Sequence, residues 1–311
     1  MGTSVSAPAT ADAARLRTEA AILRMARAAS IEVSVKSRDV VADCARWLPP
    51  GAEVFICMVP GQTYHQTAQM AGALVNAGFT PVPHVTARTI VNAASARDIF
   101  VRLAGAGVRR ALLLGGERAA PAGEYDSALS LLRSDAFEAL AAERVYVAGY
   151  PDGHPSIADD VLDRQLADKL ALCAARGIEA GVVTQFTFDE KRLIAWLDQT
   201  AAQYPGALLV AGVAGPAGAG TLLRYAARCG VRASMSMLTR HAEKIMHVLS
   251  ESGPEALIYA LAQREADTGR ATGLHLFSFG GTARTARWRR ALADGYIELR
   301  TAETTFEVLP H

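Results

Sequence analysis

The chain has 311 residues, 50% of them hydrophobic and 20% charged, enough to bury one full-sized core or two modest ones. Lys+Arg 32 against Asp+Glu 31 leaves a formal charge of +1, so no global field draws the protein to nucleic acid or anionic lipid, and a small-molecule partner is expected. Cys44, Cys57, Cys173 and Cys229 are scattered, with no C-x-x-C spacing or histidine cluster, so neither a metal site nor a disulfide framework is expected and a reducing cytoplasm fits.

The N-terminal MGTSVSAPATADAARLR lacks an apolar h-region, and no later stretch reaches the roughly 18 apolar residues of a membrane span. A tail and a helix over 11–28 fill residues 1–29. Short β-branched runs then alternate with longer Ala/Leu/Arg-rich stretches, the pattern of βα units around a parallel sheet. Eight runs qualify as strands: SIEVSV (30–35), EVFICMV (53–59), TPVPHVT (80–86), RALLLGG (110–116), RVYVAGY (144–150), AGVVTQF (180–186), ALLVAGV (207–213) and LHLFSFG (274–280). Most are continuous apolar runs, as strands buried on both faces require. Helices are expected over Thr63–Asn76, Ala94–Ala104, Asp126–Ala142, Asp159–Arg176 and Asp189–Gln203. The interval Ala214–Gly273 is too long for one crossover and reads as two or three helices broken at Pro254. The fold class is therefore α/β, a (β/α)₈ barrel over residues 30–295, with the N-terminal helix before it and a hairpin from YIELRTAETTFEVL over 296–311.

In such barrels the active site forms at the C-terminal strand ends, and polar residues crowd there. Glu32 lies inside strand 1, His84 and Thr86 end strand 3, and Gly116 and Glu117 follow strand 4. Tyr150, Asp152 and His154 follow strand 5; Thr184, Gln185 and Asp189 end strand 6. Glu32, flanked by Ile31 and Val33, points into the barrel, where burial raises a carboxyl pKa toward that of a general acid at neutral pH. A structural glutamate paired with a buried arginine or hydroxyl fits the same pattern. His84 read alone is a satisfied core histidine. The glycines of GVAGPAGAGT (212–221) suit an approaching phosphate but match no nucleotide-binding spacing, and Met235, Met237 and Met246 read as core fillers.

Taken in order, the glutamate of strand 1, PHVT in strand 3, the GG-acid turn after strand 4, AGYPDGHP after strand 5 and TQFTFD at strand 6 resemble the methylenetetrahydrofolate reductase family over roughly residues 30–280. The resemblance implies a cytoplasmic flavoenzyme that binds FAD over the strand ends and a tetrahydrofolate derivative against the flavin. It implies Glu32 as the acid that protonates the folate nitrogen, Gln185 as a hydrogen-bond partner of the pterin, and Glu117, where the family usually has Asp, as a carboxylate serving both substrate and catalysis. His84, Thr86, Gly116, Tyr150, His154, Asp163 and Lys169 fall at cofactor positions, Lys169 at a spacing from Gln185 that departs from the family. After strand 7, AGPAGAGTLLRYAA has no aromatic before Tyr225, which leaves NADH or NADPH as electron partner open and is compatible with methyltetrahydrofolate oxidation. Family barrels commonly associate, and residues 1–29 and 296–311 are the candidate interface. The competing readings are a flavin-free nicotinamide-dependent reductase, a Schiff-base lyase or aldolase, and a non-catalytic folate-binding homologue. Of the four lysines only Lys36 comes near a strand end, which disfavours the Schiff base.

Overall fold

The computed structural model describes residues 7–229 and 254–310, with side chains from residue 12; Met235, Met237 and Met246 lie outside the described residues. A helix, α1 (Ala7–Ala28), leads into the eight strands β1 (Ser30–Val33), β2 (Glu53–Ile56), β3 (Thr80–Thr86), β4 (Arg110–Leu114), β5 (Arg144–Gly149), β6 (Glu179–Thr184), β7 (Leu208–Ala214) and β8 (Gly273–Phe277). Each pairs in parallel with the next, and β1 pairs with β8, so the sheet closes into a barrel. The crossovers are α2 (Val40–Trp47), α3 (Tyr64–Asn76), α4 (Ala93–Gly105), α5 (Ala128–Arg133), α6 (Asp159–Ala175), α7 (Glu190–Gln203), α8 (Ala219–Arg228) and α9 (Glu255–Thr268); α10 (Thr282–Ala293) follows β8. Strands β9 (Ile297–Arg300) and β10 (Thr305–Val308) form the antiparallel hairpin at the end.

Helix starts follow local chemistry. Thr63 and Gln66 form a reciprocal capping box ahead of α3, and Asp189 accepts from Arg192 N ahead of α7 at 3.1 Å. The expected helix over Asp126–Ala142 is instead the short α5 followed by a 3₁₀ segment, Asp135–Leu140. Ser134 causes the break: its backbone is extended, and its hydroxyl donates to Leu131 O at 2.7 Å, competing with helix continuation. Pro254, the expected break point, is the N-cap of α9.

Strand alternation divides the core into two layers. Ile31, Val33, Val54, Ile56, Val145 and Val147 face the helices, while Phe55, Val82, Leu112, Tyr146, Val183 and Val210 fill the barrel interior. Tyr146 fits inside because residue 181 is glycine; a Cβ there would stand 2.4 Å from two ring carbons. Below this layer, the first residues of four strands form a charged plug. Glu53 accepts from Arg110 at 2.6 Å, from Arg144 at 3.2 Å and from the Tyr146 hydroxyl at 2.7 Å, and Arg144 also binds Glu179 at 2.7 Å. α1 packs on α9 and α10, with Arg24 reaching Glu265 at 2.6 Å. Among the described residues no helix is long and apolar enough to cross a membrane.

Candidate active site

The parity that sends Ile31 and Val33 outward sends Glu32 inward, opposite Phe55 in the β1–β2 register. On β3 the same rule turns His84 inward beside Leu112. Their side chains meet above the apolar layer: His84 Nε2 lies 3.5 Å from Glu32 Oε2, with side-chain exposures of 9% and 16%. Burial pushes the Glu32 carboxyl up to about 8 and the His84 imidazole down to about 4, because a poorly solvated interior penalises the charged form of each. Glu32 thus carries its proton at neutral pH and can release it to a base placed at the mouth. Of the two readings open for this residue, the one with a buried arginine partner finds no support: the only ion-pair contact of Glu32 among the described residues is His84.

His275 on β8 completes the wall. It is fully buried, its Nδ1 lies 2.9 Å from Ser30 Oγ, and its ring packs 4.4 Å from Phe55. Burial, then the nearby His84, hold it down to about 3. Sequence reading passed over this histidine, although a single imidazole in the apolar run LHLF carries the same signal as a single carboxylate in SIEV.

Other expected residues spread around the rim. Thr86 is tied to Tyr64 through its backbone N–H (2.9 Å) and hydroxyl (3.1 Å), and to Thr89 Oγ1 at 2.9 Å. Gly116, at φ 97°, leaves 3.2 Å between its absent Cβ and Thr86 Cβ, so these two neighbours form one corner. Glu117 is 75% exposed and faces Arg228 at 3.9 Å. Tyr150 and His154 pack edge to face at 5.3 Å, and Gln185 donates its backbone N–H to Gly149 O at 2.8 Å beside them. Asp163 sits elsewhere: with Tyr150, Trp196 and Tyr204 it lines a cavity of about 240 Å³ between α6 and α7, outside the barrel wall. Lys169, also on α6, is buried; burial lowers its amine to about 8, and no hydrogen bond or ion pair joins it to another described residue.

Gly212 and Gly215 serve packing, since a Cβ at 212 would lie 2.1 Å from Thr184 O and one at 215 would lie 2.9 Å from the Thr285 side chain. Tyr225 on α8 stacks on Phe279 at 4.1 Å, and Phe277, Phe186 and Phe188 extend this aromatic group from the ends of β6 and β8. The stretch without an aromatic before Tyr225 is thus followed by an aromatic cluster. Cys57 and Cys229 are both held up by burial, Cys57 to about 12 and Cys229 to about 11, with Glu32 as the next contribution to each. In the sequence these two thiols read only as scattered cysteines, and Arg228 carries no signal, because residues so distant along the chain share no local pattern. Lys36 lies past the end of β1 and donates to Pro60 O at 2.6 Å.

The family model described as methylenetetrahydrofolate reductase matches residues 46–285. Among solved structures, N-acetylneuraminate lyase from Fusobacterium nucleatum is 12% identical, with 76% of this chain and 79% of that chain covered at a TM-score of 0.40. The same lyase complexed with pyruvate is 12% identical, with 68% and 66% covered at a TM-score of 0.35. Likeness at that level says nothing about chemistry.

Proposed function

We propose, from the premise that this chain belongs to the methylenetetrahydrofolate reductase family, that it interconverts 5,10-methylenetetrahydrofolate and 5-methyltetrahydrofolate with FAD as hydride carrier. The observation that carries this reading is the inward Glu32 beside His84 at the C-terminal end of the barrel, where burial raises its carboxyl. An acid that stays protonated at neutral pH is what opening of the methylene bridge needs, since the departing folate nitrogen must gain a proton. In the methyltetrahydrofolate-oxidising direction the same carboxylate takes the proton back, by microscopic reversibility.

The residues present fit FAD. Lys169 is a buried amine with no anionic partner among the described residues, and a diphosphate would supply one. Tyr150 and His154 offer an aromatic face and an imidazole at the end of β5, and Thr86 with Gly116 forms a narrow backbone corner at β3 and β4. His84 stands at the mouth, and Asp163 would be reached only by a part of the cofactor that passes Tyr150 into the cavity both residues line. When bound, FAD supplies a carrier that accepts and donates a hydride. Gln185 orients the pterin through its side-chain amide, and Glu117 at the rim holds the folate from the solvent side. The aromatic group around Tyr225 and Phe279 stands beside the mouth where NADH or NADPH would enter.

An anaerobic absorbance spectrum of the purified protein, before and after methyltetrahydrofolate, tests this reading, with NADH in a separate cuvette. The expected result is a bound flavin that bleaches with folate. If FAD neither copurifies nor binds when supplied, the flavin-dependent mechanism fails and direct hydride transfer between nicotinamide and folate replaces it.

A further inference from the structure

His84 and Glu32 form a largely enclosed polar contact at the mouth, and their partnership has two electrically equivalent forms. In one, the carboxylate faces an imidazolium; in the other, a neutral carboxyl faces a neutral imidazole. Both sum to zero charge, so the choice rests on what surrounds them. His84 Nε2 is buried and makes no well-formed hydrogen bond, with Glu32 Oε2 at 3.5 Å as the polar atom nearest to completing one.

The neighbours favour the neutral form. The Phe55 ring packs on His84 at 6.2 Å between centroids and on His275 at 4.4 Å. His275, kept neutral by burial and bound to Ser30 Oγ, brings no negative charge that would stabilise an imidazolium at His84. Besides His84, the groups that act on Glu32 from other elements are the thiols of Cys57 and Cys229; the guanidinium of Arg228 stands beside those thiols, with Glu117 as its ion-pair partner at 3.9 Å. Arg228 is half exposed, so its charge is screened by solvent. Separating charge between Glu32 and His84 would desolvate two ions where the neutral pair desolvates none.

We propose that His84 is a positioning residue for the acid: as a neutral imidazole protonated on Nδ1, it accepts at Nε2 from the Glu32 carboxyl and holds that proton at the mouth until substrate arrives. The role of the acid rests on the folate reading given above, whereas the protonation state of the pair can be read without substrate. His84 keeps its place close to the cofactor, but its contribution to the reaction passes through Glu32.

The test uses the whole chain. ¹⁵N-histidine NMR of the ligand-free wild type is recorded between pH 5 and 7.5, with His84 assigned by its response to Glu32→Gln and its loss in His84→Gln. A non-protonated Nε2 and a protonated Nδ1 across that range are expected; an imidazolium signal at His84 overturns the proposal. In His84→Gln an amide N–H replaces the acceptor and favours the carboxylate. The pH limb of flavin reduction by methyltetrahydrofolate, read on the fraction of protein that holds flavin, should then move down by about one unit or more. A slower rate at every pH with an unmoved limb would make His84 a packing or cofactor contact only. If wild-type flavin is not reduced by folate at all, the functional reading fails while the NMR result still decides the state of the pair.

Discussion

The two ends of the barrel treat charge in opposite ways. At the N-terminal end Glu53 is saturated by Arg110, Arg144 and the Tyr146 hydroxyl, and Arg144 is shared with Glu179. At the C-terminal end the one ion-pair contact of Glu32 among the described residues is His84 at 3.5 Å, and burial holds its carboxyl up in place of a counter-ion. Both carboxylates sit on inward positions of neighbouring strands, one rung apart in alternation, so residue type and parity alone do not separate them. The difference lies in what the adjacent strands bring. Arginines close the bottom into a structural clasp, whereas phenylalanine and histidine leave the top with a proton that a ligand can take.

The largest effect should come from removing the unsatisfied acid. Glu32→Gln is expected to slow the folate half-reaction about 10²–10⁴-fold while leaving flavin bound, measured by anaerobic stopped-flow absorbance. Turnover near wild type would abolish the contrast between the two ends. The mirror experiment is Glu53→Ala, which strands the Arg110 guanidinium and takes one partner each from Arg144, still held by Glu179, and from the Tyr146 hydroxyl; urea denaturation should show a loss of roughly 2–3 kcal/mol, with the half-reaction rate of the folded fraction unchanged. A rate loss there instead of a stability loss would mean the plug takes part in the chemistry.

Smaller changes sharpen the comparison. Gly181→Ala drives a methyl into the Tyr146 ring that braces Glu53, for an expected cost of about 1–3 kcal/mol in the same denaturation assay. The mouth also predicts a pH signature. Glu32 is raised from 4.5 to about 8, so between these values the native state binds more protons than the unfolded chain and stability falls as pH rises. His84 is lowered from 6.5 to about 4, so its contribution falls as pH drops through that window. The two oppose each other below about pH 6.5, leaving Glu32 alone between 6.5 and 8. Over that interval wild type should lose roughly 1–2 kcal/mol relative to Glu32→Gln in parallel melts, and parallel curves would contradict the raised carboxyl. The smallest effect is expected from Arg228→Ala: its 3.9 Å pair with the 75% exposed Glu117 should add no more than a few tenths of a kcal/mol to stability.

Much of this molecule was legible in one dimension. All eight strands fall within the expected runs or within a residue of them, β3 with the expected ends Thr80 and Thr86, because a doubly buried strand must be apolar throughout and is bounded where that stops. Thr63 and Asp189 marked helix starts because a cap is chemistry between residues three apart. The division of α5 at Ser134 was not visible, since a serine within an Ala/Leu-rich segment breaks a helix only when its hydroxyl finds a carbonyl to bind.

The inward direction of Glu32 followed from Ile31 and Val33 alone, because a strand has period two and both branched neighbours must face the helices. Its partner did not. His84 lies beyond a complete βα unit, and only the β1–β2–β3 register brings the two side chains to one level. His275 comes to that wall only because β8 closes against β1, and Tyr225 joins the rim only because α8 packs on the residues after β8. Which carboxylate would be clasped and which left holding a proton was likewise a tertiary decision: solvation and pairing depend on atoms within a few ångströms, and chain neighbours supply few of those in a closed barrel.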